Sequence, residues 1–214
     1  MTEFKNIIII TGHYGSGKTN IAANLALKLA EQDSVSIVDL DIVNAYFRTA
    51  DFQNPANAAG QVFSGKNIKI IASKYANSSL DVPALGFDIA GAVKSSGYTI
   101  IDVGGDDEGA RALGRYRDFL LGQDYDMLYV VNKSRLHTQT PEEALELLRA
   151  IESVSGLKCT GIINNTHLCE ETTPELIEAS LPYAKEIAEK AGVPLLFSVG
   201  LDFPVRILVK KVWE

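Results

Sequence analysis

The chain has 214 residues, 46% of them apolar and 22% charged, which excludes disorder, collagen and a disulfide-stapled miniature. Its formal net charge of −7 excludes binding of nucleic acid or anionic lipid through bulk charge, so any anion must be gripped by a local site. No run reaches the roughly 18 apolar residues of a membrane span, and Met1 to Asn6 leads straight into an apolar strand with no secretory pattern. Cys159 and Cys169 fit neither a C-x-x-C redox pair nor a tetrahedral zinc set. These features predict a cytoplasmic protein folded as one domain over residues 1–214.

Short apolar runs alternate with amphipathic stretches along the whole chain. Ile7 to Ile10 is a β-branched strand, and Ile21 to Leu29 has its apolar residues at helical spacing. Strands follow at Val35 to Val38 and Ile68 to Ala72. The stretch from Asn44 to Gly65, rich in Asn, Ala and Gly without a clear period, reads as a long loop. Ile89 to Val93 belongs to a helix before the strand Tyr98 to Val103. Later strands are Met127 to Val131, Cys159 to Ile163 and Leu195 to Val199. Helices start near Pro141 and Pro174, each preceded by a threonine suited to cap them. Strands apolar on both faces and separated by helices predict an α/β fold, a mostly parallel sheet covered on each side. At the C-terminus, Val205, Leu208, Val209, Val212 and Trp213 form a helical stripe. That stripe suits a helix docked on its own core better than one lying on a membrane.

Gly12-His13-Tyr14-Gly15-Ser16-Gly17-Lys18-Thr19 matches G-x-x-x-x-G-K-[ST] between a buried strand and a helix. Glycines let the backbone turn its N–H groups around a β-phosphate, and the following helix presents its positive end to the same anion. Lys18 would bridge the β- and γ-phosphates, and the Thr19 hydroxyl would bind magnesium. Acidic residues stand at two further strand ends, where a parallel sheet places ligands. Asp39-Leu40-Asp41 follows Ser36-Ile37-Val38, and Asp102 ends Tyr98-Thr99-Ile100-Ile101. Asp41 and Asp102 suit magnesium ligands acting through water, while Asp39 suits a supporting role. Asp102-Val103-Gly104-Gly105 spells D-x-x-G, which would bring the Gly105 amide to the γ-phosphate.

Proteins that read guanine follow a later strand with N-K-x-D, whose carboxylate accepts from the base. Here Met127 to Val131 runs into Asn132-Lys133-Ser134-Arg135, with a cation in place of the Asp. Guanine is therefore disfavoured. Gly161-Ile162-Ile163-Asn164-Asn165 ends the next strand in asparagines able to hydrogen-bond adenine.

Through the loop at Gly12 to Thr19, Asp39-Leu40-Asp41-Ile42, Asp102 and the Gly161 to Asn165 strand, the chain resembles the MinD/ParA family of P-loop ATPases. The resemblance implies that Asp41 positions the attacking water and that Asp102 binds magnesium through water. It also implies an adenine-reading Asn at Asn165, with Asn164 as the alternative. The family's loop reads G-K-G-G-x-G-K-[ST], and its first lysine reaches a partner's nucleotide across a dimer. This chain departs from it with His13 and Tyr14 at the second and third positions. The expectation is an ATPase switch that binds ATP with Mg2+ and hydrolyses it slowly. It has an unidentified protein partner, a possible homodimer, and no direct nucleic-acid or membrane contact. A small-molecule kinase, with its acceptor pocket between Asn44 and Ser79, is an alternative, as are an amidoligase or synthetase and a non-hydrolysing adaptor. His13 suits either a phosphate or subunit contact or a solvent-facing loop position. His137 and His167 suit plain surface positions. Tyr46, Phe47 and Arg48 suit either a partner or substrate site or a folded-over loop, and Arg111, Arg115 and Arg117 suit either charge supplied to a transition state or a solvated helix face.

Overall fold

The computed structural model describes residues 3–40, 58–71, 85–95, 97–105, 107–168 and 171–208. Its strands are β1 (Ile7–Gly12), β2 (Val35–Leu40), β3 (Ile68–Ile71), β4 (Tyr98–Val103), β5 (Tyr125–Val131), β6 (Gly161–Asn164) and β7 (Leu195–Ser198). The helices are α1 (Lys18–Leu29), α2 (Ala58–Phe63), α3 (Leu85–Lys94), α4 (Asp107–Gly114), α5 (Arg117–Leu121), α6 (Pro141–Ser155) and α7 (Pro174–Ala191). The strands form one seven-stranded sheet in the order β3-β2-β4-β1-β5-β6-β7, and every pairing in it is parallel.

The four isoleucines of β1 show why the sheet is covered on both faces. Successive strand residues point to opposite sides. Ile7 and Ile9 join the layer of α3 to α7, with Ile101, Met127, Leu148 and Ile187. Ile8 and Ile10 join the layer of α1, with Ile21, Leu25, Ile100 and Leu128. Ile8, Ile9 and Ile10 are fully buried, each such side chain contributing on the order of 2 kcal/mol. No single polar face would satisfy both layers.

The caps read from the sequence are present. Thr140 accepts from the Glu143 N–H in a capping box, with Pro141 opening α6, and Thr173 accepts from Leu176 N–H at the start of α7. Each cap is worth about 1 kcal/mol.

β1 is the central strand. From it the chain builds β2, β3 and β4 to one side and β5, β6 and β7 to the other. That is a topological switch point, where the loops at strand C-termini diverge and leave a crevice for a ligand. The Gly12 to Thr19 loop opens at this point.

Three expectations change. Residues 58–63, read as loop, form helix α2, whose Phe63 supplies an apolar anchor to the α1 layer. The strand expected from Cys159 begins at Gly161. Cys159 itself is buried below it, and burial pushes its thiol up to about 11, an inert thiol at neutral pH.

The third is the C-terminal helix, which does not form over residues 204–208. Asn24 on α1 donates its side-chain N–H to the Arg206 carbonyl at 2.9 Å and accepts from the Arg206 N–H at 2.8 Å. Asn20 accepts from the Leu208 N–H at 2.9 Å. Side chains of α1 thus take the main-chain groups that a helix would have paired internally. Val205 and Leu208 still pack on the α1 layer. Val209, Val212 and Trp213 lie outside the described residues, as do Tyr46, Phe47, Arg48 and Cys169. Among the described residues, no helix is long and apolar enough to cross a membrane.

Candidate functional site

β1 ends at Gly12 and the chain turns through His13, Tyr14, Gly15 and Ser16 before α1 begins at Lys18. Gly17 stands at the N-cap with φ 91° and no side-chain cap. A Cβ there would run into the Asn165 side-chain amide, so both backbone conformation and space call for glycine. The uncapped N–H groups of α1 face the loop, an arrangement that suits an anion.

Lys18 is buried and its ammonium donates to the His13 carbonyl at 3.0 Å. The Ser16 N–H donates to the same carbonyl at 3.1 Å, so His13 pins the mouth of the loop through its main chain. Thr19 follows in the first turn of α1 and is half-buried.

Among the described residues, the Thr11 hydroxyl, the Ser16 hydroxyl and His13 Nδ1 are buried polar atoms with no hydrogen-bond partner. All three belong to this loop and the strand entering it. Unpaired buried polar groups are costly, and their gathering around one loop is what a site for a polar ligand requires. Sequence reasoning missed Thr11, although a threonine closing an isoleucine strand was a visible signal.

Asp102 is fully buried at the end of β4, in register with Ile10 of β1 and with Asp39 of β2. Asp39 is buried as well. Two strand-end carboxylates therefore stand side by side next to the phosphate-loop strand. Asp41 lies outside the described residues. Gly105 comes against the loop from the other side: a Cβ there would lie 2.5 Å from Tyr14 N, 2.6 Å from Tyr14 Cα and 2.8 Å from Lys18 Nζ. Only glycine permits this approach. Tyr14 is 55% exposed.

The loops after β5 and β6 complete the site. Asn165 donates its amide N–H to the Ser16 carbonyl at 2.6 Å. Arg135 donates Nε–H to the Gly15 carbonyl at 2.9 Å. Asn132 joins the two loops, accepting from the Ser134 and His167 N–H groups and donating to the His167 carbonyl. Asn164 turns inward: it donates to Ser180 and Ser198 and accepts from Thr166. It is fully engaged away from the loop, which leaves Asn165 as the asparagine on the site.

The chain's three histidines all lie in these loops. The rings of His13 and His137 are 6.2 Å apart. Burial lowers the pKa of His13, the main chain of Tyr14 opposes this, and the charges of Lys18, His137 and Arg135 lower it further. Burial followed by the charge of Arg135 lowers that of His167. His13 is thus neutral at pH 7, unlike the lysine of the G-K-G-G loops. Arg111 lies in the last turn of α4, and Arg117 opens α5 with its side chain against Gly156.

The fold has close counterparts among solved structures. The cell division protein FtsY of Thermotoga maritima superposes with a TM-score of 0.60 at 19% identity, over 92% of this chain and 62% of that one. The signal recognition particle receptor FtsY of Elizabethkingia anophelis, solved in complex with GDP, gives 0.59 at 17% identity, over 99% of this chain and 66% of that one. The signal recognition particle 54 kDa protein of Aeropyrum pernix, also in complex with GDP, gives 0.56 at 17% identity, over 92% of this chain and 42% of that one. The chain thus spans less than two thirds of the length of these structures. No protein-family model matches it, and no curated protein does. At such identities the likeness carries the fold alone: a seven-stranded, all-parallel sheet with helices, the α/β P-loop NTPase-like fold.

Proposed function

We propose that this protein is a P-loop switch that binds ATP with Mg2+ and hydrolyses it slowly, in the manner of the MinD/ParA ATPases that its motifs resemble. The observation that carries the reading is the set of buried, unpartnered atoms of Thr11, His13 and Ser16 around a glycine-rich loop at an uncapped helix N-terminus. A triphosphate offers acceptors to that loop's donors and a counter-charge to Lys18. Thr19 and the carboxylate of Asp102 are hard oxygen donors of the kind magnesium takes, with Asp41 as a further one. Bound magnesium supplies charge neutralisation on the β- and γ-phosphates.

The rest is the work of the chain's own residues. The loop N–H groups and the end of α1 orient the β-phosphate, and Lys18 stabilises charge growing on the transferring phosphoryl group. Asp41 orients the attacking water, and the amide of Gly105 senses the γ-phosphate from beside Lys18. Catalysis is then positioning and electrostatics rather than proton removal by a strong base.

Adenine is favoured because position 135 carries a cation where guanine readers carry a carboxylate, and because Asn165 keeps a carbonyl oxygen able to accept from the adenine amino group. Guanine would set its own carbonyl against that oxygen. The GDP found in two structures of like fold supports a second reading, a guanine-nucleotide switch. Competition between ATP and GTP for the purified protein, followed by phosphate release with each, decides between them. Tighter binding of ATP and slow phosphate release are expected. Equal or tighter binding of GTP would overturn the adenine assignment, and binding of neither would overturn the nucleotide-binding reading.

A further inference from the structure

Two consecutive carbonyls of the phosphate loop are held from outside by side chains of neighbouring strand-end loops, Gly15 by Arg135 and Ser16 by Asn165. In a trans peptide the carbonyl and the following N–H point opposite ways. Holding the Ser16 carbonyl outward therefore turns the Gly17 N–H toward the cradle. Asn165 explains itself by this bond. Arg135 does not, because one hydrogen bond from Nε leaves the rest of a five-donor guanidinium unused.

The surroundings of Arg135 are unusual. The chain is acidic overall, yet no carboxylate lies within ion-pair distance of Arg135 among the described residues. Its charge reaches the imidazoles of His13 and His167 and helps to lower the pKa of both. Its guanidinium lies on Gly15: a Cβ at that glycine would be 3.4 Å from Nε and 3.7 Å from both Cδ and Cζ. The side chain is half-buried and anchored at one edge. A planar cation from the loop after β5 is thus anchored beside the phosphate loop, on Gly15.

We infer that Arg135 is the nucleoside platform of the site, its guanidinium stacking on the purine of the bound nucleotide. The inference rests on the nucleotide-binding reading above and adds the residue that holds the base. A guanidinium plane on an aromatic face combines cation–π attraction with stacking. It accepts either purine, because both present the same kind of face. Arg135 therefore contributes affinity, and base choice falls to Asn165.

The test separates base from phosphate. Dissociation constants are measured for ATP, GTP and inorganic tripolyphosphate with wild type, Arg135→Ala and Arg135→Lys. The lysine variant keeps the charge and a donor for the Gly15 carbonyl but has no plane to stack. Both variants are expected to weaken ATP and GTP by the same factor, about tenfold for alanine, while tripolyphosphate binding stays within about twofold in Arg135→Lys. An unchanged ratio of nucleotide to tripolyphosphate affinity in both variants would overturn the platform. So would a loss confined to GTP, which would mean hydrogen bonding to the guanine edge instead. If wild type binds tripolyphosphate but gains nothing from a nucleoside, the platform falls while the phosphate loop stands. If wild type binds none of the three, the nucleotide-binding reading itself fails and takes the platform with it.

Discussion

Asn165 donates to the main-chain carbonyl of Ser16 at 2.6 Å across 149 positions of sequence. The bond fixes the peptide leading into Gly17, whose missing side chain makes room for the amide. Asn165→Ala would leave the buried Ser16 carbonyl without its donor, a loss of about 1–3 kcal/mol. Nucleotide affinity is expected to fall about tenfold or more by titration. Asn165→Asp, which sets a carboxylate against that carbonyl and the phosphates, should lose more. Unchanged affinity in both would show that the loop holds its shape unaided.

Lys18→Ala should weaken both nucleotide binding and hydrolysis. Asp41→Ala should leave affinity largely intact and reduce hydrolysis by a factor on the order of 10². Single-turnover phosphate release at saturating ATP measures this separation. Wild-type hydrolysis in Asp41→Ala would assign water positioning to another carboxylate, with Asp39 the first to examine.

Gly105→Ala places a methyl group 2.5 Å from Tyr14 N and 2.8 Å from Lys18 Nζ. Backbone on one side and a buried ammonium on the other must give way, so the turn after Asp102 moves off the loop. Hydrolysis is expected to drop at least about tenfold, with a smaller effect on binding, because the turn serves the γ-phosphate end of the site. Equal losses for ADP and ATP binding would place the fault in the loop as a whole.

The C-terminal segment supplies a stability test. Asn24→Ala removes both side-chain hydrogen bonds to Arg206, and each is worth roughly 1 kcal/mol. Chemical denaturation should show a loss of about 1–3 kcal/mol. Limited proteolysis should show faster cutting at Arg206. Asn24→Asp keeps the acceptor for the Arg206 N–H and loses only the donor, so it should fall between alanine and wild type.

Stability should also fall with acid. His13 and His167 have pKa values lowered in the fold, chiefly by burial, from an ordinary 6.5. Below about pH 6.5 the unfolded chain therefore binds more protons than the folded one, so stability declines as pH drops through that value and is unaffected above it. The lowered carboxylates Glu142 and Glu175 act only below their ordinary 4.5. Melting points at pH 7.5 and 5.5 should differ by a few degrees, and His13→Gln with His167→Gln should flatten the difference. A slope unchanged in that double variant would assign it to other groups.

Local patterns in the sequence settled most of the fold. Isoleucines in a run, threonine–proline starts and a glycine-rich loop between strand and helix act over a few residues, so β1, α1, α6 and α7 were legible before any contact was known. The phosphate loop was legible for the same reason, since its geometry depends on its own glycines and the helix behind it. The C-terminal stripe failed because helical spacing is only a local preference. Asn20 and Asn24, more than 180 positions earlier, offered the same backbone groups a better set of partners. Position 135 was visible in the sequence only as a missing carboxylate. The strand order places β5 and β6 in succession beside β1, and this brings Arg135 onto Gly15 and Asn165 onto Ser16. Packing of the two layers sets that order, and no short-range pattern encodes which loops will meet at the central strand.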